Sequence, residues 1–258
     1  KYGEDIFPRN FIFNIPQPDN YVGASKIFGI KDSDPEIGGP LPILGDPVED
    51  AIEIFPPKHK KDLVVTRLPA SLKSAIKEFA IVCAAKRERV TRNPHNSMLI
   101  HVTRFTDVQN RVHELVTKEI RHLRGRISNS SDDLKDLRDI WEQKYAPVSQ
   151  QMPSDDGIEF PVHRWEDIVK HLPEMVRRIS VKAINGTSKD ALLYKEAEDA
   201  ADKRRRRGEE VPWEDSGTHV IAIGGDKLSR GLTLEGLTTT YYLRPSTMYD
   251  TLMQMGRW

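Results

Sequence analysis

A short apolar segment that turns directly into an amphipathic helix constrains the fold of this chain more than any other feature. Residues 97–103 are uncharged and largely apolar, which is typical of a buried strand. A helix is predicted over residues 106–122, because Val108, Val112, Leu115 and Val116 recur at helical spacing. A strand followed by a short turn and a helix is the first half of a crossover unit. The sequence therefore predicts a parallel α/β sheet.

The remaining periodic segments agree with that architecture. An amphipathic helix is predicted from Leu72, opened by Pro69 and closed by the basic run 86–92. Further elements are expected as strands at residues 179–184, 220–223 and 239–243 and as a last helix at residues 248–255. Their order predicts an α/β fold with a three-layer parallel sheet.

Two stretches depart from the strand and helix alternation. Residues 1–67 are rich in proline and glycine, and we expect them to form an irregular segment packed on the core. The main domain is then predicted to cover residues 68–258. Within it the polar stretch at about 127–177 is expected to be a helical insertion.

Composition limits the function. The chain has 39 basic and 39 acidic residues among 258, so a contact with nucleic acid requires a local basic patch. Its one cysteine, Cys83, excludes an internal disulfide and a cysteine-based zinc site, and we expect it to be packed in a helix. Without an apolar run of membrane-spanning length, we expect a cytoplasmic protein and no membrane partner. We also expect a piece of a longer protein, since the chain does not begin with methionine.

The chemistry is concentrated between residue 220 and the C-terminus. A predicted buried strand leads into a loop with two adjacent glycines, which let the backbone approach a ligand closely. Asp226 is suited to a ribose hydroxyl, and Arg230 to a phosphate or to an acidic partner. The next strand leads to a helix that carries Gln254 and Arg257. Taken singly, none of these features is specific.

In this order and spacing, the features resemble motifs five and six of superfamily two helicases. Upstream, the strand at 97–103 resembles their motif four. The amino-acid sequence of the chain also resembles that of the Z1 domain family, to which an endonuclease role in bacterial restriction and phage defence is assigned. Four segments carry this likeness, which extends over residues 21–258: Leu68-Pro-Ala-Ser-Leu-Lys, His95-Asn-Ser-Met-Leu-Ile-His-Val-Thr-Arg-Phe, Ser229-Arg-Gly-Leu-Thr-Leu-Glu-Gly-Leu and Gln254-Met-Gly-Arg-Trp.

The resemblance implies a RecA-like helicase C-terminal lobe within an ATP-dependent enzyme that acts on DNA. Arg257 and Gln254 would then be catalytic, with Arg257 facing the terminal phosphates of ATP. Thr103 and Arg104 would contact the nucleic-acid backbone. ATP and Mg²⁺ would be the cofactors. DNA, the N-terminal ATPase lobe of the same protein and other restriction-system subunits would be the partners. The residues implied in nucleotide binding are Gly225, Asp226, Arg230, Gly231 and Gly256.

The chain departs from the helicase pattern at two positions and lacks the motifs of the other lobe. Gly225 stands where helicases usually have threonine, and Thr233 where many have aspartate. No phosphate-binding loop and no Asp-Glu magnesium box are present. We therefore expect the chain alone not to hydrolyse ATP. A DNA-binding or protein-docking module that keeps a helicase shape without catalysis is the alternative function.

Three other patterns have a functional and a structural interpretation. Asp133 with Glu142 and Lys144 has the spacing of one nuclease class, but it lies on a predicted polar helix without the strand pair that normally presents such groups, so a solvated helix face is the favoured interpretation. The basic run 203–207 could bind phosphates, yet its acidic flanks favour a solvated loop. No two of His95, His101 and His113 have the spacing of a helical metal pair, so no metal site is predicted.

Overall fold

A four-stranded sheet with every strand parallel organises the molecule. The strands are β1 (Asn96–His101), β2 (Ser180–Ile184), β3 (His219–Gly224) and β4 (Leu237–Tyr242), and their order across the sheet is β2-β3-β1-β4. The computed structural model describes residues 27, 42–45, 48–89, 93–129, 134–151, 161–185, 194–225 and 233–243. The predicted parallel α/β fold is confirmed, and each predicted strand is present within two residues of its expected limits.

Alternation along the two central strands separates the faces of the sheet. Met98 and Ile100 of β1 and Ile221 and Ile223 of β3 are buried in the main hydrophobic core. The residues between them point to the opposite face, where four buried side chains form a second, smaller cluster: Leu99, Ile184, Ala222 and Leu234. Both central strands are buried along their whole length, which accounts for the apolar runs 98–100 and 220–223 in the sequence.

Helices cover the face that carries the main core. Two helices precede β1, α1 (Asp50–Ile54) and α2 (Ala70–Arg89), and α3 (Thr106–Asn129) follows it. A continuous helical stretch follows, made of α4 (Lys135–Ile140), a π-helical turn (Trp141–Tyr145) and α5 (Ala146–Gln151). The last two helices before β2 are α6 (Trp165–Val169) and α7 (Leu172–Arg178). Helix α7 packs on both α2 and α3, and α2 also contacts β4.

The predicted helix after Pro69 is confirmed as α2. The amide of Lys73 donates to the carbonyl of Pro69, the first bond of the helical ladder, and the basic residues of the last turn lie at the negative end of the dipole. Cys83 is fully buried among the apolar side chains of this helix, as predicted, and burial raises the pKa of its thiol.

Helix α3 extends seven residues further than the sequence pattern predicts, to Asn129. Its continuation buries Leu123 and Ile127 and includes Gly125 at an exposed position. No atom of the described residues comes within 4 Å of the place where a Cβ at Gly125 would stand. Gly125→Ala is therefore expected to increase the free energy of unfolding by about 0.5–1 kcal/mol, since glycine is the poorer helix former. Urea denaturation would measure this, and an unchanged or lower midpoint would contradict it.

Most of the described residues in the stretch predicted as a helical insertion are helical, and several of their apolar side chains belong to the main core. Leu137, Trp141 and Trp165 are buried there. Burial opposes ionisation of Asp136, but hydrogen bonds from Arg126 and Lys77 prevail and lower its pKa to about 2. Nearby, Glu78 of α2 accepts hydrogen bonds from Lys144 at 2.9 Å and from the Tyr145 hydroxyl at 3.0 Å. These polar contacts fasten the π-helical turn to α2.

The connection between β2 and β3 contains α8 (Tyr194–Arg206), which the sequence analysis does not predict. The prediction that the run 203–207 forms a solvated loop is wrong, because residues 203–206 form the last turn of this helix. Arg205 donates to the carbonyls of Val211 and Pro212 and bonds Asp202 at 2.8 Å. The cations lie at the negative end of the helix dipole, which favours this arrangement.

All elements above lie in one of the two units into which the chain divides. The larger unit comprises residues 45–257, and the smaller one comprises residues 1–44 with residue 258. In the described ranges, no helix combines the length and the apolar character that crossing a bilayer requires. The predicted helix at 248–255 lies outside the described residues.

Candidate functional site

The centre of the sheet contains a point where the strand order reverses. Strands β1 and β3 are neighbours there, and the chain leaves them in opposite directions. After β1 it passes through α3 to β2, beyond β3, whereas after β3 it continues to β4, on the far side of β1. Open α/β sheets bind ligands in the crevice outside the carboxyl ends of such a pair. The carboxyl ends of β1 and β3 are therefore the candidate site.

The residues that leave these two strands touch one another. Gly225 follows β3, and Thr103 and Arg104 follow β1 by two and three residues. A Cβ at Gly225 would lie 3.4 Å from the Cα of Arg104, 3.4 Å from the carbonyl oxygen of Thr103 and 2.7 Å from Nε2 of Gln109. An added Cβ would therefore require the Gln109 amide to move, whereas its two backbone contacts are at the limit of ordinary van der Waals contact.

Gln109, in the first turn of α3, holds the end of β1 in place. Its side chain is buried, and Nε2 donates to the carbonyl of Thr103 at 3.0 Å. Its Oε1 is buried and has no hydrogen-bond partner among the described residues. A buried acceptor without a donor is uncommon in native proteins, so this atom marks a place where a donor is expected.

Gly225→Thr is expected to destabilise the fold by about 1–3 kcal/mol. The added Cβ would displace the Gln109 amide from the Thr103 carbonyl. Chemical denaturation of Gly225→Thr, Gln109→Ala and the double variant would test this. We expect the effects to be non-additive, because Gln109→Ala removes the group with which the threonine collides. Strictly additive effects would show that the contact with Gln109 is not the cause.

His59 is bound to the end of β1. The Pro56 carbonyl can only accept, so Nδ1 of His59 donates to it at 2.7 Å and Nε2 accepts from the Thr103 hydroxyl, also at 2.7 Å. The amide of Phe105 donates to the same hydroxyl oxygen. Thr103 is consequently buried, with 1 % of its surface exposed. Its hydroxyl is occupied by contacts within the protein.

Arg104 is the exposed member of this group. Its guanidinium carbon lies 5.0 Å from the centre of the Phe105 ring, within the range of a cation–π contact. The His59 ring meets the same phenylalanine edge to face, with 5.7 Å between centroids. Phe105 thereby holds His59 and Arg104 on one part of the surface, beside the strand end.

The structure brings together three of the residues that the sequence singles out. Gly225, Thr103 and Arg104 meet at the strand-order reversal, and their proposed ligand contacts stay predictions. The other predicted nucleotide-binding and catalytic residues lie outside the described part of the chain: Asp226, Arg230, Gly231, Gln254, Gly256 and Arg257. Sequence reasoning missed His59 and Gln109. Neither belongs to a motif, and only their contacts with Thr103 reveal them.

The three histidines considered as metal ligands have structural partners. His95 accepts from the amide of Thr218 and contacts Glu198, His113 bonds the carbonyl of Val181, and the ring of His101 lies against Tyr242. Within the described ranges, no group of three or more histidine, cysteine or acidic side chains is arranged to hold a metal ion.

The residues with nuclease-like spacing also have separate partners. Glu142 bonds Arg138 at 2.7 Å, and Lys144 bonds Glu78 at 2.9 Å. Asp133, the third member of that pattern, lies outside the described residues. The side chains that the structure describes are therefore engaged with cations and acids of neighbouring turns and helices.

Comparison with known proteins gives one result. No curated protein and no solved structure matches the chain. The family model of the Z1 domain matches residues 71–258, which is well over half of the chain and includes all four strands and the strand-order reversal. The chain therefore belongs to the Z1 domain family.

Proposed function

We propose that this chain is the C-terminal, RecA-like lobe of an ATP-dependent, helicase-like enzyme that acts on DNA. Its sheet would be the middle of three layers, and a second lobe of the same protein would complete the nucleotide site. The observation that carries the proposal is the strand-order reversal between β1 and β3. From that point Gly225 leads directly into residues 226–231, whose sequence resembles helicase motif five.

The described residues at this point fit a nucleotide. Gly225 lets the end of β3 lie against the end of β1, beside the crevice where open α/β sheets bind ligands. Gln109 supplies a buried acceptor that has no partner among the described residues, and such an acceptor suits a hydroxyl donor such as that of a ribose. Asp226 is proposed to accept from a ribose hydroxyl as well.

The arginines would act on the phosphates. Arg230 and Arg257 carry permanent charges, and guanidinium donors that face a phosphate offset the charge that develops during phosphoryl transfer. Gln254 and the glycines Gly231 and Gly256 belong to the same proposed site. ATP and Mg²⁺ would be held mainly by the other lobe, since this sequence contains no phosphate-binding loop.

Hydrolysis of ATP by a protein that contains both lobes tests the proposal. We expect DNA-stimulated turnover that falls at least 100-fold in Arg257→Ala, in line with the loss of a phosphate-facing arginine. Arg206→Ala is the matched control, because Arg206 is an exposed arginine on α8, and it should leave turnover unchanged. The 258-residue chain alone is expected to hydrolyse no ATP.

Two outcomes would replace this function. Absence of turnover in the two-lobed protein, with and without DNA, would favour the non-catalytic docking module. Magnesium-dependent nicking of plasmid DNA that is lost in Glu142→Ala would favour a nuclease. A role in restriction or phage defence, a cytoplasmic location and other subunits as partners belong to the same proposal.

A further inference from the structure

A basic loop, residues 56–61, lies outside the part of the chain that the Z1 domain model matches. The core holds it on both sides, because Phe55 and Val65 are buried there. His59, in its middle, is bonded to Thr103 at the end of β1. Further along, a guanidinium nitrogen of Arg111 donates to the carbonyl of Leu63. The loop is therefore fixed on the carboxyl edge of the sheet by specific contacts.

Three lysines of this loop point into solvent. Lys58, Lys60 and Lys61 are exposed, and none of them forms an ion pair with another described residue. The cations at the end of α8 differ, because Arg204 bonds Glu209 at 2.6 Å and Arg205 bonds Asp202 at 2.8 Å. The charge of the basic loop is thus uncompensated, whereas that of α8 is partly neutralised within the protein.

Arg104 adds a fourth cation at the same place. Its guanidinium and the ring of His59 both lie against Phe105. Arg104 is exposed, and it forms no ion pair within the described residues. The acidic residues of these segments, Asp62 and Asp107, are fewer than the cations. A protein with a formal net charge of zero therefore has a concentrated positive surface beside the candidate site.

We propose that the basic loop and Arg104 form a contact surface for the phosphate backbone of DNA. Exposed, unpaired lysines bind a polyanion by releasing its counterions, and they carry no preference for sequence. The loop backbone is already fixed by the contacts of His59, so binding does not have to order it first. The proposal rests on the proposed function, in which DNA is the substrate, and it gives His59 the role of a positioning residue.

Binding of the 258-residue chain to a short, fluorescently labelled DNA duplex tests this surface without nucleotide. The triple variant Lys58→Gln, Lys60→Gln, Lys61→Gln is expected to weaken binding on the order of 100-fold at about 0.1 M salt. It should also reduce the slope of log K against log salt by about 3, near one unit for each lysine. The matched control removes three exposed cations from α8, Lys203→Gln, Arg204→Gln and Arg206→Gln. It should change affinity less than about threefold, because surface charge remote from the contact acts weakly.

His59→Gln tests the positioning role. It leaves the three lysines in place but removes the ring that joins Thr103 to Phe105, so we expect weaker DNA binding by a protein that stays folded, with its stability lowered by about 1 kcal/mol through the lost hydrogen bond to Thr103. Equal losses in the loop and α8 triple variants, or no loss in either, would overturn the proposal. So would displacement of the DNA by poly-glutamate at equal charge concentration, which would indicate an acidic protein partner. Because no ATP is present, a negative result here leaves the ATPase test of the proposed function intact.

Discussion

Lowering the pH from 6.5 to about 4 is expected to reduce the free energy of unfolding by about 3 kcal/mol through one side chain, His219. This histidine begins β3 and has 4 % of its surface exposed. Burial lowers its pKa to about 3, and the positive charges of Arg178, Lys86 and Arg87 act in the same direction. The folded protein therefore keeps the imidazole neutral.

The neutral ring is held by one identified partner. The amide nitrogen Nδ2 of Asn96 donates to Nδ1 at 2.9 Å, which places the ring proton on Nε2. That Nε2 is buried and has no hydrogen-bond partner in the described part of the chain. Of the groups around it, Lys86 and Arg87 belong to α2, Arg178 to α7 and His95 to the segment before β1. None of these offers a carboxylate that would stabilise an imidazolium.

The sign follows from the two pKa values. Between the ordinary value of 6.5 and the folded value of about 3, the unfolded chain binds one more proton than the folded chain. The contribution of His219 to the free energy of unfolding is therefore fully present above pH 6.5. It falls by about 1.4 kcal/mol with each pH unit between 6.5 and about 3. Asp136 also loses stabilisation in acid, but only below its ordinary pKa of 3.8, since its folded pKa is about 2.

Urea unfolding at successive pH values would measure this dependence. His219→Gln keeps an acceptor for Asn96 and cannot take up a proton, so its stability should change little between pH 6.5 and about 4.5. The control is His163→Gln, which removes another histidine whose pKa burial lowers and should keep most of the slope. An unaltered slope in His219→Gln would refute the assignment.

The parallel sheet was predictable because its central strands are buried on both faces. In a chain that alternates strands and helices, a short continuous apolar run such as residues 220–223 is typical of a buried strand of a parallel sheet. Helix α8 was not predictable in the same way, because it buries only Tyr194 and Ala201. With so small an apolar face, its periodicity is lost among charged residues. Ion pairs and the helix dipole stabilise its end instead.

The candidate site was predictable only as far as backbone requirements appear in the sequence. Gly225 marks a close approach of two strand ends, and its two-glycine signal is visible in the sequence. His59 is 44 residues from its partner Thr103, so no local pattern joins them. The strand order that creates the reversal likewise depends on pairings between distant segments. Contacts between residues so far apart in the sequence become visible only in the folded structure.

Replacing the glycine that precedes β4 is expected to cause the second large loss of stability. Its backbone has a left-handed conformation that other residues rarely adopt, and its surroundings are crowded. Gly236 has φ of 61°, and a Cβ there would lie 2.0 Å from the carbonyl oxygen of His95, which also accepts from Lys86. Neither backbone can move freely, since the carbonyl of Gly236 accepts from the amide of Ser97 at 2.9 Å and so begins the pairing of β1 with β4. Gly236→Ala is expected to cost about 3–5 kcal/mol, measured by urea denaturation, with about 1–2 kcal/mol from the left-handed backbone and the rest from the displaced strand.

Gly208→Ala separates these two causes. Gly208 also has a positive φ, 84°, but nothing lies within 4 Å of its added Cβ, so only the backbone term of about 1–2 kcal/mol applies. The difference between the two variants then measures the collision with the His95 carbonyl. Equal destabilisation by both variants would mean that the backbone before β4 shifts away from the His95 carbonyl without a measurable cost in free energy. In that case the close approach at Gly236 would not determine how β4 joins the sheet.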